Sequence, residues 1–159
     1  MTSPILWFDE KHKQAAAHVV LLTPDGRFIL QVRDDIPGID NPGQITPFGG
    51  AAEPGETPIA CALRELAEET GIRPEATALR YLDSVTKIDF RGHATACVFY
   101  LLSGVDPATL AVTEGQAIVM SADEVGRDPR PTPFTQQLAA LIRQTVSVPS
   151  GEPEQNSLA

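Results

Sequence analysis

The chain has 159 residues, 42% of them hydrophobic, with 12 basic against 21 acidic side chains and a net charge of −9. That length suits one domain with a real core, while the acidity argues against a nucleic acid or an anionic membrane surface as partner. No apolar run approaches membrane-spanning length, and the opening residues carry acids too early for a signal peptide, so a cytoplasmic protein is expected.

In chain order, Trp7 and Phe8 read as a short packed leading segment. Residues 15–22 are apolar and predict a buried strand; Thr23-Pro24-Asp25-Gly26 has the composition of a turn, and 27–33 follows as a second strand, giving a hairpin. Residues 34–43, with Pro37, Gly38, Pro42 and Gly43, read as an exposed loop, and 44–48 as a short strand. Gly49, Gly50, Pro54 and Gly55 then predict a tight loop. Thr57 is a good N-cap, Pro58 suits the first helical position, and Ile59, Ala62, Leu63, Leu66 and Thr70 recur at helical spacing until Gly71 ends the helix. Cys61 in this helix and Cys97 downstream lack metal-ligand spacing and read as small core residues.

After a connector at 74–78, residues 79–90 and 93–102 predict two more strands around Arg91-Gly92, and 116–120 another. Residues 122–125 make at least one helical turn, and 134–145 an amphipathic helix with Leu138, Leu141 and Ile142 inward. The polar, Pro/Gly/Ser-bearing stretch 146–159 reads as a mobile tail behind one domain spanning 1–145. Strands on both sides of a helix, followed by more strands and a terminal helix, predict an α/β (α+β) fold with a mixed sheet between helices.

The first helix carries the chemistry. Glu65, Glu68 and Glu69 stand at i, i+3 and i+4, and the spacing puts them on one face. Like charges at that spacing repel by about 0.2–0.5 kcal/mol per pair, and the last turn of a helix disfavours anions. A face selected for stability alone would carry lysine there. Clustered carboxylates on a rigid helix suit a hard divalent cation, which takes oxygen ligands and shares them with substrate phosphates.

The same residues carry a resemblance. Gly50, five residues, Glu56, seven residues, Arg64-Glu65-Leu66, one residue, Glu68-Glu69, one residue and Gly71-Ile72 match the Nudix box at every defined position. At roughly one in fifteen per fixed position, chance would give about 10⁻⁸ per start site. The chain therefore resembles a Nudix hydrolase. The resemblance implies an α/β/α sandwich with a mixed β-sheet core, Mg²⁺ (with Mn²⁺ as a substitute) as cofactor, and a small-molecule nucleotide or nucleotide derivative as substrate. Homodimers are common in the family.

By the same match, Glu68 and Glu69 correspond to metal-binding carboxylates, and Glu65 to one that binds metal or orients the water. The Gly49 carbonyl corresponds to a further ligand, and Arg64 to a residue that holds the carboxylates by charge-assisted hydrogen bonds. Glu56 reads as structural. Outside the box, Glu114 matches a downstream carboxylate used by some relatives as ligand or base, with a plain loop acid as the alternative. Arg33 stands where relatives place a phosphate-contacting arginine, with Arg27 as the rival. His93 reads as a base or phosphate contact, or simply as a partly buried strand residue. The implied reaction is attack of an activated water on one phosphorus of a nucleoside diphosphate linked to X, with Glu65, Glu68 or Glu114 as base.

Pro47-Phe48 stands where phenylalanine-proline is usual before the glycine pair, which leaves the shape of that approach open. Markers of ADP-ribose, NADH and coenzyme A relatives are missing, and Phe90 stands where dinucleoside-polyphosphate relatives often have tyrosine; nucleoside triphosphates remain as substrate. Two other classes stay open: a nucleotide-binding regulator of the same fold, and an isopentenyl-diphosphate isomerase, which the complete box disfavours.

Overall fold

The computed structural model describes residues 14–88 and 91–145. The leading segment with Trp7 and Phe8, the stretch 146–159 and Phe90 lie outside the described residues. Seven strands form one mixed sheet: β1 (Gln14–Leu22), β2 (Phe28–Val32), β3 (Ile45–Thr46), β4 (Phe48–Ala51), β5 (Arg80–Ile88), β6 (Ala94–Leu102) and β7 (Gln116–Met120). Helix α1 (Pro58–Thr70) follows β4, while α2 (Ala122–Arg127) and α3 (Pro133–Thr145) follow β7.

The sheet runs β3-β2-β1-β6-β5, with β4 on β1 and β7 on β2. β1 pairs in parallel with β6, from Gln14↔Thr95 to Leu21↔Leu102, while its other pairings, with β2 and β4, are antiparallel. Period-two alternation sends the two faces of β1 into different cores. Ala15, Ala17, Val19 and Leu21 pack with Cys61, Ala62 and Leu66 of α1; Val20 and Leu22 pack with Leu138, Ala139 and Ile142 of α3. Both cysteines are buried and free. This is the expected α/β/α sandwich.

Local chemistry sets the ends of α1. Thr57 Oγ1 accepts the Ala60 N–H at 3.2 Å, and Gly71, at φ 80°, closes the last turn through its N–H to the Ala67 carbonyl at 3.0 Å.

The glycine pair departs from the sequence expectation. Gly49 and Gly50 lie inside strand β4, opposite His18 and Ala17 of β1, and the loop starts only after Ala51. The reason is proximity. A Cβ on Gly49 would stand 2.2 Å from the Ala17 carbonyl oxygen and 2.6 Å from His18 Cα. Glycine is used here because two backbones and a ring nearly touch, and the neighbouring strand compensates for its poor strand propensity. The inverted Pro47-Phe48 fits the same arrangement: Phe48 is fully buried opposite Val19, and Pro47 separates β3 from β4.

Candidate active site

Arg64, on α1, is the centre of a fan of acceptors. Its Nε donates to Glu56 Oε2 at 2.6 Å and its Nη2 to Glu56 Oε1 at 2.9 Å, a two-pronged pairing. Nη2 also reaches the Ala51 carbonyl at 2.9 Å, while Nη1 donates to Glu65 Oε1 at 2.9 Å and Glu68 Oε2 at 3.2 Å. Glu56 thus does more than suit the helix start: it fixes the guanidinium, and that contact holds its own carboxyl below the usual range. The Glu65 carboxylate lies over Gly50, where a Cβ would approach it to 2.7 Å.

Glu69 is held differently. The sequence spacing groups it with Glu65 and Glu68, yet Glu69 is 2% exposed and joins the Ala62–Leu66 side of the helix, whereas the Glu68 side chain is 57% exposed. Its Oε1 accepts the Gly49 N–H at 2.7 Å, and its Oε2 accepts the Gln31 amide at 3.2 Å. Among the described residues, no cationic side chain pairs with it. Burial, followed by the charges of Glu65 and Glu114, pushes its carboxyl up to about 7, against the pull of those two donors. Burial and the charges of Glu68 and Glu114 also raise Glu65, opposed by Arg64.

Glu114 belongs to this cluster, since both Glu65 and Glu69 feel its charge. Its loop is fastened to the end of α1 by the Thr113 N–H to the Glu69 carbonyl at 3.0 Å and by Thr113 Oγ1 to the Glu68 carbonyl at 2.9 Å. Among the described residues, no three acids, histidines or cysteines already stand in metal-ligand geometry. The donor set nonetheless fits a hard cation: all its side-chain atoms are carboxylate oxygens, and burial together with their mutual repulsion raises two of them.

On the opposite face of the sheet lies a cavity of about 940 Å³. Its wall includes His18 stacked on Phe99, with centroids 5.1 Å apart and planes at 17°, and Phe134 tilted against Phe99 at 4.8 Å. Burial, then the charges of Lys87 and Arg33, lowers His18 to about 3, so the ring is neutral. Arg33 and Lys87 line the cavity with Asn41 and the β4 glycines. Arg33 is steadied by its Nε donating to the Asp40 carbonyl at 3.1 Å.

Arg27 is elsewhere. It pairs with Asp25 at 3.1 Å in the β1–β2 turn, about 20 Å along the strand from Arg33 at ~3.3 Å per residue. The structure therefore separates the two rival arginines, and only Arg33 reaches the cavity. His93 is not among the residues that line it. His18, Gln31 and Phe134 are not among the site residues expected from the sequence. A signal existed for the first two, as polar residues inside the apolar runs of β1 and β2.

A NUDIX domain family model matches residues 12–144, nearly the whole chain. The chain belongs to the Nudix family. Membership makes it a pyrophosphohydrolase for nucleotide-type substrates. No curated protein sequence matches the chain. Among solved structures it is similar to a MutT protein from Methanosarcina mazei Go1, at 20% identity and TM-score 0.67, covering 86% of this chain and 98% of that one. A MutT Nudix hydrolase from Burkholderia pseudomallei gives 21% identity and 0.66, covering 81% and 97%. A C. elegans Ap4A hydrolase gives 19% and 0.63, covering 81% and 94%. At such identities these three report on fold.

Proposed function

We propose that this Nudix protein cleaves the diphosphate linkage of a nucleoside triphosphate or a related nucleoside diphosphate linked to X, with Mg²⁺ or Mn²⁺ as cofactor. The supporting observation is a juxtaposition. The acids Glu65, Glu69 and Glu114 lie beyond the thin glycine strand β4 from a cavity bearing aromatic rings and two cations. A base stacked near His18, Phe99 and Phe134 would leave its phosphates to Arg33 and Lys87 and carry the diphosphate toward the acids. A neutral His18 suits stacking without repelling the nearby cations.

When bound, the divalent ion supplies charge neutralisation of the diphosphate and a more acidic water. In this reading Glu65, Glu68, Glu69 and Glu114, with the Gly49 carbonyl, hold the ion. The carboxylate oxygen of Glu65, Glu68 or Glu114 accepts the water's proton. Arg64 orients Glu65 and Glu68, and Arg33 steadies the phosphates so that attack occurs at one phosphorus.

One observation favours a second reading. Glu65 and Glu68 are engaged by Arg64 rather than gathered as ligands, as a nucleotide-binding regulator without turnover would tolerate. The deciding experiment is phosphate and pyrophosphate release from nucleoside triphosphates, nucleotide sugars, ADP-ribose and dinucleoside polyphosphates. The last belong in the panel because the C. elegans relative is an Ap4A hydrolase. Each is run with Mg²⁺, Mn²⁺ or EDTA, beside Glu69→Gln. Metal-dependent cleavage of one class that the variant lacks is the expected result. Binding of nucleotide with no cleavage under any condition would favour the regulator.

A further inference from the structure

Gln31 occupies a position that strand chemistry assigns to an apolar residue. It is the fourth of the five residues of β2, at 1% exposure, and alternation turns it with Ile29 toward α1. Its amide nitrogen has two acceptors. It donates to Glu69 Oε2 at 3.2 Å and to the main-chain carbonyl of Glu114 at 2.9 Å. Both neighbours accept, so the nitrogen must face them, and the amide oxygen is left buried without a partner. Packing alone would favour Leu or Met, which carry no oxygen to strand.

What the amide joins is informative. One end is the buried acid at the last turn of α1; the other is the loop that carries Glu114. That loop is also pressed onto β2, since Gly115 sits at φ 62° and a Cβ there would stand 2.2 Å from the Val32 carbonyl oxygen and 3.3 Å from Gln31 Cγ. The Thr113 bonds tie the loop to helix carbonyls, but the Gln31 amide is what connects it to an acid side chain.

We propose that Gln31 is a positioning residue that fixes the Glu69 carboxylate and the Glu114 loop relative to one another, so that both acids meet the divalent ion in one geometry. The inference rests on the proposed metal site. Gln31 is predicted to touch neither substrate nor ion; it acts through Glu69 and the loop.

The test is Mn²⁺ binding to substrate-free protein by calorimetry, in wild type, Gln31→Met, Glu114→Gln and the double variant, with hydrogen exchange followed at residues 111–116. Gln31→Met should weaken Mn²⁺ binding by about tenfold or more, as loss of a residue that orients ligands does. It should also speed exchange at Glu114 and Gly115. In the double variant the loss should stay close to that of Gln31→Met alone, because Glu114 is already misplaced. Gln31→Leu suits a buried strand and serves if the Met variant is unstable. Its thermal midpoint should fall only modestly, because Glu69 Oε2 and the Glu114 carbonyl lose a donor while the orphaned amide oxygen is removed, whereas Mn²⁺ binding falls about tenfold or more, a split that a packing role would not give. Affinity within about twofold of wild type, or losses that multiply in the double variant, would overturn the proposal. If wild type binds no Mn²⁺ at all, the proposed metal site fails, and unchanged loop exchange in the Gln31 variants would then remove the positioning role separately.

Discussion

In its middle turns α1 surrounds a guanidinium with acids, whereas at its C-terminal end it buries an acid among neutral donors. Arg64 meets Glu56, Glu65 and Glu68; Glu69 meets a backbone N–H and an amide. One guanidinium there faces three carboxylates, so net negative charge remains, but each of those acids has a charged donor that keeps the arrangement in shape. The second leaves negative charge in a poorly solvated place, where the charges of Glu65 and Glu114 add to the strain. A cation would be needed most where the fold supplies no charged donor, while Arg64 keeps the other acids of the same cluster in place.

Replacing the uncompensated acid should have the largest effect. Glu69→Gln keeps an acceptor for the Gly49 N–H and removes the charge, so turnover should fall by roughly 10²–10⁴-fold while the protein stays folded. Near-normal metal-dependent activity would place the ion elsewhere. Arg64→Ala attacks the compensated set. It leaves Glu56 and Glu65 facing each other without their shared donor, and should cost about 2–4 kcal/mol in urea unfolding. Arg64→Lys should recover only part of this, because an ammonium cannot reproduce the two-pronged contact with Glu56.

The glycine pair sharpens the contrast. Gly50→Ala meets first the end of the Glu65 side chain rather than backbone, so the chain should fold and lose about tenfold in activity, the scale for displacing a group that orients the reacting centre. Gly49→Ala meets backbone at 2.2 Å and should lower stability first, seen as a reduced thermal midpoint and poor yield. The smallest effect concerns pH. With its carboxyl pushed up to about 7, Glu69 stabilises the fold fully below about 4.5, and that contribution is lost as pH rises through 7. In EDTA the unfolding midpoint should therefore drift down across that window. Glu69→Gln should flatten the drift, and so should saturating Mg²⁺. A wild-type profile in EDTA that is already flat would show that Glu69 is not strained in the free protein.

Helix α1 is legible in the sequence because helix ends are local: Thr57, Pro58 and Gly71 act on neighbours a turn away. The hairpin and β5–β7 were likewise readable from runs and turns. What escaped depends on distant partners. β4 reads as a loop until His18 and Ala17 are set against its glycines. Glu69 reads as one of three equal acids, although its position three residues after Leu66 and seven after Ala62 carries it onto the buried side of the helix. Gln31 and His18 break apolar runs, a visible signal, but their meaning depends on Phe99 and on Glu69 and the Glu114 loop, which lie 38 and 83 residues from Gln31. Arg33 and Arg27 were equivalent by composition, and only the placement of the hairpin turn separates them.

The central parallel pairing also governs how the chain reaches this arrangement. β1 ends at Leu22, while its partner β6 ends at Leu102, about 80 residues later, or ~4–16 s of synthesis at about 5–20 residues per second. Until then one edge of a Val- and Leu-rich strand lacks its neighbour. Helix α1 would form early, but the sheet that presents it waits for a contact between distant parts of the chain, and such contacts fold slowly. A newly made chain halted before residue 94 should therefore be prone to associate through the open edge of β1. Moving the termini to the Arg91-Gly92 turn between β5 and β6, so that β6 is made before β1, should remove that wait.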